Sequence, residues 1–254
     1  MKLYEMYFSP TGGTEKAVGI IGSVWNCEKE RINLLLPEEG MKNYDFASED
    51  ICIIAVPSFG GRVPAPALKR LSRMKGCGAR AILTAVYGNR DFDDTLIELR
   101  EAVLSAGFSC EAAIAAVAEH SIAHEVGRGR PDEKDEEVLT SFAVRIKEYL
   151  ERPHESRELK IPGNHPYREY KGVPLKPKAN RTCNQCGLCA RQCPVHAIPK
   201  EKLSSVDKTK CISCMHCIAV CPQKARRCNP LLVKAASRKL KKNCSERKEN
   251  QLFL

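Results

Sequence analysis

A chain of 254 residues, 43% hydrophobic and 28% charged, has the balance of a soluble globular protein with room for one large or two modest cores. It contains no run of about 18 apolar residues, so no transmembrane helix is expected, and Met1–Phe8 is too short and mixed for a secretory signal, which makes the cytoplasm the expected location. The formal charge of +10 is uneven: residues 1–150 carry 18 Lys and Arg against 23 Asp and Glu, net −5, whereas residues 151–254 carry 23 against 8, net +15.

The first 150 residues alternate strand-like and helical patterns. Lys2–Phe8 reads as a strand, followed by a Gly-containing turn and a helix over 14–25. Arg31–Leu36 is a second strand, and the continuous apolar run Ile51–Val56 has the pattern of a central parallel strand covered on both faces. Pro64–Lys75 is helical with proline in its first turn, Ala79–Val86 is a buried strand, and Asp91–Ala106 is an amphipathic helix. Phe108–Val117 gives a fifth strand and Asp132–Leu150 a closing helix. Such alternation predicts an α/β, doubly wound, five-stranded parallel sheet of order 2-1-3-4-5 over residues 1–152. Residues 153–178, with five prolines, read as a stiff linker. Residues 179–230 contain an internal repeat: Thr182–Ile198 matches Lys210–Arg226 at a shift of 28 residues. Residues 231–254 form a basic tail, with a short helix over 233–242 and fraying expected beyond it.

Cysteine carries the clearest chemistry. Ten of the 14 cysteines fall between Cys183 and Cys244, and cysteine that dense in a reducing compartment points to metal rather than disulfides. Cys183-x2-Cys186-x2-Cys189-x3-Cys193-Pro194 is repeated as Cys211-x2-Cys214-x2-Cys217-x3-Cys221-Pro222. Three cysteines two residues apart let a tight loop present three thiolates to one face of a cubane, and the fourth iron takes its ligand from elsewhere. Structural zinc, the rival reading, usually separates two cysteine pairs by a long gap. His196 and His216 read as filler, and Cys228 and Cys244 as packing or tail residues. With both motifs complete, residues 182–226 resemble a bacterial two-[4Fe–4S] ferredoxin. The resemblance implies a small α+β fold around the clusters and low-potential one-electron transfer. It also implies crossed ligation: Cys183, Cys186, Cys189 and Cys221 for one cluster, Cys211, Cys214, Cys217 and Cys193 for the other.

Between the first strand and helix lies Ser9-Pro10-Thr11-Gly12-Gly13-Thr14. Hydroxyls, glycines and free amides at a helix start make an anion cradle. The segment matches neither the dinucleotide fingerprint nor the ATP-binding P-loop, but it resembles the phosphate loop of flavodoxins. By that resemblance Ser9, Thr11, Gly12, Gly13 and Thr14 hold the 5′-phosphate of FMN. Two loops at later strand ends then flank the flavin ring: one with Pro57, Ser58, Phe59, Gly60 and Gly61, the other with Tyr87, Gly88, Asn89 and Arg90. Gly60, Gly61 and Gly88 are expected to admit the ring closely, Phe59 or Tyr87 to stack on it, and His120 either to face it or to cap its loop. The whole arrangement over residues 1–230 resembles a family of flavodoxin–ferredoxin fusion proteins.

The resemblance implies an electron-transfer iron–sulfur flavoprotein relaying electrons between FMN, two [4Fe–4S] clusters and redox protein partners, acidic ones suiting the basic half. No nucleophile or general base constellation stands out, so no catalytic residue is assigned. Two alternatives stay open: a flavin-dependent reductase of a small molecule fed by the clusters, and an iron–sulfur protein whose first domain is a flavin-free docking scaffold. Nucleic acid is not expected as a partner, since the basic half lacks interleaved aromatics after Tyr170.

Overall fold

The computed structural model describes residues 1–37, 42–152, 158–244 and 246–254. Strands β1 (Leu3–Tyr7), β2 (Lys29–Asn33), β3 (Ile51–Pro57), β4 (Arg80–Tyr87) and β5 (Ser109–Val117) form a parallel sheet in the order β2-β1-β3-β4-β5. That is the expected 2-1-3-4-5 order. Helices α1 (Gly13–Gly22) and α4 (Glu133–Glu151) cover one face, while α2 (Ala65–Leu71) and α3 (Thr95–Ser105) cover the other. Because side chains alternate along a strand, β3 sends Ile51, Ile53 and Ala55 into the α1/α4 core and Cys52, Ile54 and Val56 into the α2/α3 core. Each large aliphatic chain so buried contributes roughly 1.5–3 kcal/mol. A reciprocal capping box fixes the start of α4: the Asp135 amide donates to Asp132 Oδ1 (3.1 Å) and the Asp132 amide to Asp135 Oδ2 (3.0 Å).

The repeat region folds as expected into a small α+β unit. Helices α5 (Leu188–Arg191) and α6 (His216–Ala219) are related by the 28-residue shift, and β6 (Lys178–Ala179) pairs antiparallel with β7 (Arg226–Arg227). Arg226 is 2% exposed and ties the unit together, its guanidinium donating to the carbonyls of Pro177 (2.9 Å), Ser205 (3.1 Å) and Leu203.

The last segment departs from its expected fraying. Helix α7 runs over Pro230–Asn243, capped by the Asn229 side chain, and β8 (Gln251–Phe253) then adds to β5 as an antiparallel sixth strand. Residues 246–254 therefore return to the first sheet. The reason is tertiary: Asn250 Oδ1 accepts from the Val117 amide (2.8 Å) at the end of β5, a contact far apart in sequence. The proline-rich stretch also lies on the first domain. Asp94 accepts from the amides of Asn164 (2.9 Å) and Arg168 (2.7 Å), and Arg62 stacks on Tyr167 at 4.7 Å. Of the linker reading, residues 153–157 lie outside the described residues.

Candidate cofactor sites

The 9–14 segment forms the turn into α1. Gly12 takes φ +91°, where a β-carbon is strained, and a methyl group there would meet nothing within 4 Å. Gly13 instead packs closely, since an added Cβ would sit 3.1 Å from that of Ala118. Ser9 Oγ accepts from the Glu15 amide at 3.0 Å, and Gly12 at the N-cap supplies no side chain. Gly12 is exposed, and Ser9 and Thr14 beside it are buried.

One carbonyl of the loop is already engaged. His216 Nδ1 lies 2.8 Å from Pro10 O, so the ring donates from Nδ1, and burial lowers its pKa. His216 is therefore a tie between the two modules rather than filler; nothing in its sequence context distinguishes the two roles. A second tie runs from Arg70, 1% exposed, to Pro194 O (2.9 Å).

Beyond the ends of β3, β4 and β5 lies a cavity of about 360 Å³. Of the residues expected around a flavin ring, Ser58, Phe59, Gly60, Gly88 and Arg90 line it. Pro57, Gly61, Tyr87 and Asn89 do not. The Tyr87 ring is buried in the α2/α3 core against Phe92 (5.4 Å), so it is unavailable for stacking; burial raises its hydroxyl pKa to about 12. Asn89 is 4% exposed and holds the last segment, donating to the carbonyls of Cys244 (3.1 Å) and Glu246 (2.8 Å) and accepting from the Lys248 amide (3.0 Å). Gly61 packs against Asp93 and Arg168. The aromatic wall comes from Phe59 and from Tyr170, whose ring lies so close over Gly60 that an added Cβ would be 2.2 Å away. His120 lines the cavity too. The remaining walls, Val173 and Leu175, Ser213 and Leu240, come from elements that only folding brings here. On the other side of Phe59 and Tyr170 opens a second cleft of about 450 Å³, lined by Arg62, Lys171, Lys176, Lys210 and Cys211.

The fourth cysteine of each run lies beside the first three of the other run. Cys183, Cys186 and Cys189 line one small cavity with Cys221. Cys193 is buried with Cys211 and Cys217 around it, and Cys214 and Cys217 both lie within electrostatic reach of Cys193. The backbone repeats as the sequence does: Gln185 and Ser213 have φ +58° and +57°, Gly187 and Met215 +74° and +65°, His196 and Lys224 +48° each. Such left-handed residues curl amides toward the loop interior and make a nest for negative charge. Two of those amides are visible at work: Ala197 N donates to Cys193 Sγ and Ala225 N to Cys221 Sγ, both at 3.3 Å. Burial opposes ionisation of Cys221, but the amides of Arg226, Ala225 and Gln223 outweigh it and lower the pKa of the thiol. Lys176 stands over the second loop, donating to Cys211 O (2.5 Å) and Ser213 Oγ (2.9 Å). Cys228 and Cys244 are buried packing residues, as expected, Cys228 lying 3.7 Å from the Met215 sulfur.

Residues 182–225 match the family described as 4Fe-4S dicluster domain. A 56-residue stretch is 41% identical to a component of the ion-translocating oxidoreductase complex of Methanosarcina acetivorans, covering 22% of this chain and 21% of that protein. Among solved structures, a flavodoxin from the domain Archaea aligns with 60% of this chain and all of its own, at 16% identity and a TM-score of 0.45. Flavodoxin 1 of Bacillus cereus aligns with 59% of this chain and 99% of its own, at 15% identity and a TM-score of 0.41. No helix among the described residues is long and apolar enough to cross a membrane. The chain thus joins a doubly wound parallel sheet of order 2-1-3-4-5, a flavodoxin-like fold, to a segment that matches a 4Fe-4S dicluster domain.

Proposed function

We propose that the protein relays electrons between FMN, held at the strand ends of the first domain, two [4Fe–4S] clusters in the second, and external redox proteins. The observation that carries this reading is the shared cavity: Phe59, Gly60 and Gly88 of the flavodoxin-like loops and Ser213, which lies between Cys211 and Cys214, line one space. A flavin and a cluster loop with a common wall need no large motion between them. The thiol sets suit cubanes, because Cys221 shares a cavity with the first three cysteines of the other run and Cys193 lies among Cys211, Cys214 and Cys217. The exposed glycine turn before α1 suits a phosphate, and the largely apolar cavity suits a flat ring.

FMN, when bound, exchanges electrons singly or in pairs, and the clusters exchange them singly. The chain's own residues supply the rest. The glycine turn before α1 would hold the anionic end, Phe59 and Tyr170 give the ring space an aromatic wall, and the curled loops offset thiolate charge. Lys176 and Arg226 add cations beside the cluster loops. The second cleft, rich in lysine and touching Cys211, offers an approach for an acidic partner.

The test is the cofactor content of anaerobically purified protein. Iron and acid-labile sulfide at two cubanes per chain, with one FMN, supports the relay. Iron and sulfide without flavin leaves the first domain as a scaffold, and zinc in place of iron rejects the reading outright.

A further inference from the structure

The cavity at the strand ends contains one side chain whose proton is fixed by the backbone. His120 Nδ1 lies 3.1 Å from both the Ile122 and the Ala123 amide nitrogens, which donate to it. A ring nitrogen that accepts two N–H bonds holds no proton, so the neutral ring carries its single proton on Nε2. That Nε2 has no hydrogen-bond partner among the described residues, and His120 lines the cavity. Burial, and after it the charges of His124 and Arg90, lower its pKa, against which Glu125 acts weakly. Arg90 and Lys239 are the cationic side chains on the same cavity wall. Gly88 is what makes room: a Cβ there would fall 2.6–2.9 Å from Cδ2, Cβ and Cα of His120. Gly88 thus serves the seating of the imidazole as well as the approach of a ligand.

We infer that His120 is a hydrogen-bond donor to the ligand of this cavity, its Nε2–H aimed at an acceptor atom of the heteroaromatic ring bound there. The inference rests on the flavin reading of the cavity. It adds that recognition runs through a neutral imidazole held in one tautomer, not through an imidazolium. A flat ligand without an acceptor facing His120 would leave the bond unmade.

The test uses the full-length protein, anaerobic and with its clusters oxidised, carrying ¹⁵N-labelled histidine; the His120→Gln variant identifies the His120 signals by their loss. Before any flavin is added, Nδ1 should show the shift of an unprotonated ring nitrogen and Nε2 that of a protonated one. The reverse tautomer overturns the inference whatever the cavity binds. On titration with FMN, the Nε2–H signal should move in step with flavin uptake. If FMN is taken up and that signal stays still, His120 does not contact it. If no FMN is taken up at all, the flavin reading fails and carries this inference with it. His120→Phe should weaken FMN binding by about fivefold to tenfold, the worth of one net hydrogen bond, while His120→Gln, which keeps an N–H donor, should recover most of the loss. Equal losses in both variants would mark a packing role and reject the donor.

Discussion

Replacing Arg130 by Met should unfasten the end of the chain from the first domain. Arg130 is 6% exposed, and its guanidinium has four attachments. It donates to Asp135 Oδ2 (2.8 Å) and Oδ1, to Asn89 Oδ1 (3.2 Å) and to Lys248 O (2.7 Å). Breaking a buried ion pair by removing one partner costs about 3–5 kcal/mol, because the remaining charge is left without its counterion. Asp135 would keep the Asp132 amide (3.0 Å), Asn250 Nδ2 (3.0 Å) and the partly exposed Arg247 (3.2 Å), which puts the cost at the low end, about 3 kcal/mol. The single tryptophan, Trp25, is 2% exposed in the α1/α4 core and reports unfolding of this domain alone. With a urea dependence of about 2 kcal/mol per molar, the midpoint should fall by roughly 1.5 M. Hydrogen exchange at residues 246–254 should quicken in native buffer before the rest of the sheet does. The double variant Arg130→Met/Asp135→Asn should recover part of the loss, since no buried charge is then unpaired. A midpoint shift below about 0.5 M with unchanged exchange in the last strand would refute the view that this node holds the segment.

The crossed cysteine sets predict that Cys193→Ser and Cys221→Ser each lower iron by about half, and that the reduced-state electron paramagnetic spectrum loses a different cluster in each; loss of the same cluster in both would contradict the assignment. Gly60→Ala places a β-carbon at φ +62°, a cost of about 1–2 kcal/mol, and drives it into the Tyr170 ring. Proteolysis within residues 158–178 should then accelerate, and an unchanged cleavage rate would show that Tyr170 is not seated on Gly60. The Arg247 pairing lowers the pKa of Asp132; for Asp135, burial works in the opposite direction but Arg130 and the Asp132 amide outweigh it. Carboxyls depressed in the folded state add stability that is full above their unfolded pKa of about 3.9 and is lost as pH falls through the folded values. Protection of the 246–254 amides, followed by hydrogen exchange, should accordingly persist to about pH 4 and decline below it; a decline beginning near pH 6 would point to histidine instead.

The sequence by itself determined the strand order and the chemistry of the cluster loops. Period and apolar runs are local properties, and the short all-apolar run Ile51–Val56 has the pattern of a strand covered on both faces. Cysteine spacing is likewise local, and the backbone repeats with it, left-handed at 185, 187, 213 and 215. The loops at 57–61 and 87–90 were legible as positions at strand ends, but not as side-chain directions. Whether Tyr87 stacks on a ligand or packs against Phe92 depends on which core residues compete for it, and Asn89 was claimed by carbonyls of residues 244 and 246, over 150 positions away. Tyr170, Ser213 and Leu240 reach the cavity only because the proline-rich stretch, the second cluster loop and α7 fold back over the first domain. The return of β8 to the edge of β5 has the same origin. Asn250 finds the Val117 amide and Asp135 through tertiary proximity, and no local pattern in a lysine-rich tail announces a strand of three residues.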